Sequence, residues 1–292
     1  MSRKRVLAAL VVGLVGVIAA VALGKGEVRN LDADWPSNVA HRGASSRAPE
    51  NTLEAFRLAA ESGAGGLELD AHMTSDGGVV VIHDDTVDRT TDGVGPVRGM
   101  SLREVRGLDA GYRFAVTEGE VTYPYRGGGV RVPELGEVLR GFPSLKVNIE
   151  VKEDQPGVEE ALLEIIRDED AEDRVLVVSE LQVVLEHFRE LSGGVIATGA
   201  SRREIEDFYY MSRQGLEGSL NLAYEALQVP VEFAGRELVT PRFVEAAHDR
   251  GVRVDVWTIN DAQEMRRLLD LGVDSIMTDR PEILSEVLAE RR

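Results

Sequence analysis

Gly66-Leu67-Glu68-Leu69-Asp70-Ala71-His72 alternates polar with apolar side chains. Read as a β-strand, it places Glu68, Asp70 and His72 on one face and Leu67, Leu69 and Ala71 on the other. Lys146-Val147-Asn148-Ile149-Glu150-Val151-Lys152 repeats the pattern, with Asn148, Glu150 and Lys152 on one face. Both sets of carboxylates stand at the C-terminal ends of their strands. In a parallel barrel that is the end at which active sites are built.

Outward from these two strands the chain alternates strand-like and helix-like stretches. After a first strand ending at His41, Asn51 and Glu54 read as an N-cap and N3 pair, and Leu53, Phe56, Ala59 and Ala60 form an apolar stripe that stops near Gly63. Comparable units follow: Val175 to Ser179 with a helix from Leu181 to Leu191, then Val195 to Gly199. Thr240-Pro241 opens a helix that stops at Gly251, Val252 to Thr258 forms a strand, and Asp261 with Glu264 caps a helix ending at Gly272. Strands near residues 41, 68, 149, 177, 197, 220 to 229, 255 and 276 number eight. Alternation without hairpins predicts a parallel sheet, and this count in a chain of 292 residues suits one closed (β/α)8 TIM barrel better than an open doubly wound sheet. The surplus lies at about 84–138, where Gly and Arg are frequent and helical periodicity is poor.

The formal charge is −18, from 33 basic and 51 acidic residues, so nucleic acid and anionic membrane surfaces are poor partners for the folded body. Cysteine is absent, which excludes disulfides and thiolate metal sites. At the N-terminus Ser2-Arg3-Lys4-Arg5 precedes an uncharged run from Val6 through Gly24. Residues 1–24 therefore read as a signal peptide or a transmembrane anchor. Ala20-Val21-Ala22 offers a cleavage site, while the unbroken apolar length without a polar region before it favours the anchor. In both cases the basic residues stay inside and the body is exported. Residues 25–36 read as a polar linker, and 37–292 as the one folded domain.

Several motifs together resemble the glycerophosphodiester phosphodiesterase family. They are His41-Arg42-Gly43, Pro49-Glu50-Asn51-Thr52, Glu68-x-Asp70, Thr74-x-Asp76-Gly77, Val80-Val81-Ile82-His83-Asp84, Arg89-Thr90-Thr91, Asn148-Ile149-Glu150-Val151-Lys152, Val256-Trp257-Thr258-x-Asn260 and Gly272-Val273-Asp274-x-Ile276-x-Thr278-Asp279-x-Pro281. They occur in the family's order from about residue 37 onward. The resemblance implies a metal-dependent barrel that hydrolyses glycerophosphodiesters to sn-glycerol 3-phosphate and an alcohol. It also implies that 84–138 is a small insertion after the second strand, with Val79 to His83 as its first leg.

On that reading His41 and His83 are the proton-transfer residues, since phosphodiester cleavage needs one group to take a proton and another to give one. Their assignment to acid and base stays open, as does the choice between water and the neighbouring glycerol hydroxyl as nucleophile. Glu68, Asp70 and Glu150 are hard oxygen ligands without a nearby thiolate, favouring Mg²⁺ or Ca²⁺, with Mn²⁺ as a further candidate, over Zn²⁺. Arg42 offers a bidentate fork to a phosphoryl group, and Lys152 shares the face of Glu150. Local cations must here reverse the sign of the whole chain. Trp257 is expected to wall the glycerol moiety, with core packing as its rival role. His72 is expected to pack near the mouth, and His187 and His248 to lie at surfaces or helix ends. Val132-Pro133-Glu134-Leu135 departs from the family's Pro-Thr-Leu run, which moves the cap of the next helix to another residue. A lysophospholipase D-like activity on lipid headgroups and a catalytically silent, membrane-tethered phosphodiester-binding barrel are the alternative functions.

Overall fold

The computed structural model describes Leu31 and residues 35–291, with Glu118 and Ala234 excepted. The expected signal peptide or anchor lies outside these residues; no helix among those described is long and apolar enough to cross a membrane. In chain order the elements begin β1 (Asn38–His41), α1 (Leu53–Glu61), β2 (Gly66–Met73), β3 (Val79–Val81), α2 (Leu102–Arg106), α3 (Leu135–Gly141), β4 (Lys146–Val151) and α4 (Val158–Asp168). They continue β5 (Val175–Val178), α5 (Gln182–Ser192), β6 (Ala197–Thr198), α6 (Arg202–Arg213), β7 (Ala226–Pro230), β8 (Glu232–Phe233) and β9 (Arg236–Glu237). The last are α7 (Pro241–His248), β10 (Arg253–Trp257), α8 (Ala262–Leu271), β11 (Ser275–Thr278) and α9 (Pro281–Ala289).

Eight of the described strands run parallel in the order β6-β5-β4-β2-β1-β11-β10-β7. A parallel bridge between Gly199 and Ala226 joins the two ends. Across that seam Ala200 N donates to Ala226 O and Glu225 N to Thr198 O, both at 2.9 Å, so the ring is nearly closed and leaves little free edge. This is the expected (β/α)8 arrangement.

The alternation read from the sequence sorts side chains into two layers. Leu67, Leu69, Val147, Ile149 and Val151 pack outward against Phe56, Leu135, Leu162 and Phe188 of the surrounding helices. Glu68, Asp70, Asn148, Glu150 and Lys152 take the opposite face. Register then aligns the polar groups, with His41 opposite Glu68, Glu68 opposite Asn148, and Asp70 opposite Glu150. Deeper in the ring Trp35 packs with Leu176, Val178 and Ala226.

The helices start where caps were expected at Thr240 and Asp261, whose side chains accept from Phe243 N and Glu264 N. At α1 the cap is Thr52, not Asn51. Asn51 adopts φ 56° and turns its amide to Asp70 Oδ2 at 2.7 Å, so it is spent on the barrel mouth and the next hydroxyl takes over the cap. At α3 the Glu137 carboxylate accepts from Glu134 N at 3.0 Å, while Glu134 pairs with Arg106. The insertion begins with β3, antiparallel to β2, and carries its own small core of Val80, Ile82, Val87, Val97, Val105, Ala110, Val130 and Val132.

Candidate active site

At the C-terminal end of the ring opens a cavity of about 430 Å³, lined among others by His41, Arg42, Glu68, His83, Asn148, Glu150, Lys152 and Trp257. The ends of β1, β2, β4 and β10 and the segment after β3 bring these groups together from five separate stretches of chain. Carboxylate oxygens of Glu68, Asp70 and Glu150 lie within 4.8 Å of one another. Asp70 is nearly fully buried and receives Arg42 Nε at 3.2 Å and Lys152 Nζ at 3.1 Å, and the same ammonium lies 3.1 Å from Glu150. Glu68 accepts the backbone N–H of Arg42 at 2.9 Å.

Three carboxylates against two cations leave this cluster electrostatically unbalanced. Burial pushes Asp70 upward, but Lys152 and Arg42 overcome it and hold the group below the usual carboxylate range. Burial, with Asp70 beside it, instead pushes Glu68 up to about 8. A hard divalent cation among these oxygens would favour the ionised form of Glu68 and leave the cluster with a net positive charge to meet a phosphodiester anion.

Each site histidine has one ring nitrogen held by a carboxylate. His41 Nδ1 lies 2.8 Å from Asp279 Oδ1, which also accepts from Ser45 Oγ, while Asn260 Nδ2 donates to Oδ2 at 2.6 Å. Burial disfavours the imidazolium of His41, yet the Asp279 hydrogen bond and the Glu68 charge more than offset it and raise its pKa. Burial likewise opposes ionisation of Asp279, but His41 and Asn260 hold its carboxyl down at about 2. His83 Nδ1 lies 2.6 Å from Asp84 Oδ1. Arg89 grips Asp84 through Nε at 2.7 Å and Nη2 at 3.0 Å, and grips Glu50 at 2.8 and 2.7 Å. Glu50 in turn lies 3.0 Å from Arg42. An unbroken alternation of charge thus runs from Asp84, the partner of His83, through Arg89, Glu50, Arg42, Asp70 and Lys152 to Glu150. Both Nε2 atoms remain for chemistry at the cavity.

His72 is buried, and its Nε2 lies 3.2 Å from the carbonyl of His83, so it supports the loop that presents the catalytic candidate. Trp257 ends β10 40 % exposed on the cavity wall, which leaves it out of the core. His248 pairs with Asp274 at 2.9 Å and His187 lies 3.4 Å from Glu159, both away from the cavity. Asp279, Asp84, Arg89, Glu50, Asn260 and Ser45 join the site beyond the residues expected from the sequence. A signal existed for Asp84, which directly follows His83. Asp279 stands in the Thr278-Asp279-x-Pro281 motif, but its partnership with His41 exists only because β1 pairs with β11.

The comparisons agree with this geometry. Residues 41–283 match the glycerophosphoryl diester phosphodiesterase family. A glycerophosphodiester phosphodiesterase from Caldanaerobacter subterraneus subsp. tengcongensis is 37% identical over 251 residues, covering 84% of this chain and 95% of that protein. A phosphodiesterase of Oleispira antarctica, solved in complex with the product sn-glycerol-3-phosphate, superimposes with a TM-score of 0.70 at 27% identity, over 87% of this chain and 97% of the other. A glycerophosphodiester phosphodiesterase from Agrobacterium tumefaciens gives 0.69 at 26% identity, over 85% and 98%. The chain belongs to the glycerophosphoryl diester phosphodiesterase family.

Proposed function

We propose that this chain hydrolyses glycerophosphodiesters to sn-glycerol 3-phosphate and an alcohol, using one divalent cation. The observation that carries the reading is the placement of two carboxylate-held imidazoles on one cavity with three clustered carboxylates and two cations. Glu68, Asp70 and Glu150 would hold Mg²⁺, Ca²⁺ or Mn²⁺, whose charge would neutralise the non-bridging phosphoryl oxygens. Arg42 and Lys152 orient the same oxygens and stabilise the charge that develops on them. One histidine takes a proton from the nucleophile, water or the neighbouring glycerol hydroxyl, and the other gives one to the departing alkoxide. Asp279 and Asp84 fix each ring so that Nε2 is the nitrogen that exchanges the proton.

The same reading extends to location. The basic cap before the uncharged run Val6 to Gly24 supports a body exported across the cytoplasmic membrane, tethered there or released by cleavage. Protease added to intact spheroplasts should digest a tethered body, and complete protection contradicts that topology. For the reaction, the full chain stripped of metal should lose hydrolysis of glycerophosphocholine and regain it with Mg²⁺, Ca²⁺ or Mn²⁺. Full activity after exhaustive chelation would contradict metal dependence.

A further inference from the structure

Away from the mouth, α4 and α5 bring together a second set of side chains able to hold a metal ion: Glu159, Glu160 and His187, whose donor atoms lie within 4.8 Å of one another. Helix packing puts them there. Val158, Leu162, Leu163 and Ile166 of α4 bury into the same core as Val184, Leu185 and Phe188 of α5, so the residues beside those two stripes meet along the seam.

Glu159 is held in an unusual way. Its side chain is only 8 % exposed, yet it accepts no hydrogen bond from any described residue, and its one ionic partner among them is His187 Nδ1 at 3.4 Å. Glu160 has the same imidazole for a partner, 4.0 Å away through Nε2. At the mouth, by contrast, buried Asp70 receives Arg42 and Lys152, and buried Glu68 receives a backbone N–H. A carboxylate buried without donors is costly, and a cation that shares its oxygens relieves the cost.

Four tetrahedral donors about 2.0 to 2.1 Å from an ion stand about 3.3 to 3.4 Å from one another. Glu159 and His187 Nδ1 already have that separation. The side chains of Glu160 and His187 are about half exposed, so solvent leaves both free to turn and complete the set. One imidazole with two carboxylates differs from the all-oxygen cluster at the mouth. It favours a late first-row divalent ion over Mg²⁺ or Ca²⁺, and three protein donors leave the fourth position to water.

We propose that Glu159, Glu160 and His187 form a second metal site, for Zn²⁺, that clips α4 to α5 and takes no part in the phosphodiester chemistry. An ion bound only by the folded chain stabilises it.

The test counts Zn²⁺ bound to the full chain by equilibrium dialysis and follows the thermal midpoint of unfolding with and without Zn²⁺. It starts from Glu68→Gln/Glu150→Gln, in which the cluster at the mouth is weakened. Adding His187→Ala should lower the count by one ion per chain and remove the rise in midpoint that Zn²⁺ brings. Adding Glu159→Gln, which keeps the shape of the buried side chain, should do the same. An unchanged count and midpoint shift in both variants, or a dissociation constant weaker than about 1 mM, would overturn the site. His187→Ala alone should hydrolyse glycerophosphocholine with Mg²⁺ at the parental rate, and a large loss there would contradict its separation from the chemistry. A parent chain that hydrolyses no diester would overturn the phosphodiesterase reading and leave the Zn²⁺ count as the judge of this one.

Discussion

Asp279, at the end of the last strand, holds His41, at the end of the first, through a 2.8 Å contact across 238 residues of sequence. The carboxylate is itself fixed by Ser45 and Asn260, so the ring it holds has one orientation. Replacing Asp279 with Asn removes the negative charge that favours the imidazolium. The limb of the kcat/KM pH profile that belongs to His41 should move to lower pH, and the rate should fall by about 10²- to 10⁴-fold. An unmoved profile would mean that Asp279 only packs.

Arg89 acts at one remove from the other histidine. Its fork closes on both Asp84 and Glu50, a geometry that an ammonium cannot reproduce. Arg89→Ala should lower kcat by about tenfold or more while changing KM less, since the ring of His83 loses its fixed partner. Arg89→Lys should recover only part of the loss. Equal kcat in Arg89→Ala and the parent would remove Arg89 from the positioning of His83.

Metal affinity should depend on pH with a known sign. Because burial and Asp70 hold Glu68 up at about 8 in the metal-free chain, a cation must displace a proton to bind. Apparent affinity for Mn²⁺ should therefore rise with pH through neutrality, by up to about tenfold per pH step of one, and level off above 8. Titration calorimetry in buffers of different ionisation enthalpy should count the proton released, and Glu68→Gln should abolish the slope along with most of the affinity. Affinity that is flat with pH would contradict this placement of Glu68.

A stability change with the opposite sense is expected from Asp255. Burial raises this carboxyl, despite Arg253 at 3.4 Å, to about 6. The folded state thus holds the proton more tightly than the unfolded chain, where the group titrates near ~3.9. The contribution is fully present below about pH 4 and is lost as pH rises through 6, a change of roughly 3 kcal/mol at most. Denaturant unfolding of the parent against Asp255→Asn, compared at pH 4 and pH 7, should show the parent losing ground by that order. Parallel stability curves would contradict it.

The barrel was legible because period-two alternation at Glu68–His72 and Asn148–Lys152 and helix signals at Thr240-Pro241 and Asp261–Glu264 are local. The metal-ligand candidates were legible for the same reason, since register merely sets two adjacent strands side by side. Asp279 with His41, and Arg89 with Glu50, were not legible, because such pairs exist only after the ring closes and the insertion folds back on the mouth. Asn51 shows the limit within a single turn: local chemistry marks it as a cap, yet a tertiary hydrogen bond to Asp70 claims its side chain. The apolar side of the cavity was hidden as well, because Ile205, Tyr209 and Tyr210 meet Phe233 and Trp257 only in the folded barrel.

In the proposed mechanism His41 and His83 divide proton removal and proton donation between them. The most direct test of that division compares His41→Ala and His83→Ala on glycerophosphocholine and on the matching diester with a nitrophenolate leaving group, which needs little help from an acid. Both variants should lose about 10²- to 10⁴-fold on glycerophosphocholine. One of them alone should recover substantially on the nitrophenyl substrate, and that residue is the acid. Equal losses on both substrates in both variants, or parental rates in either, would contradict the division.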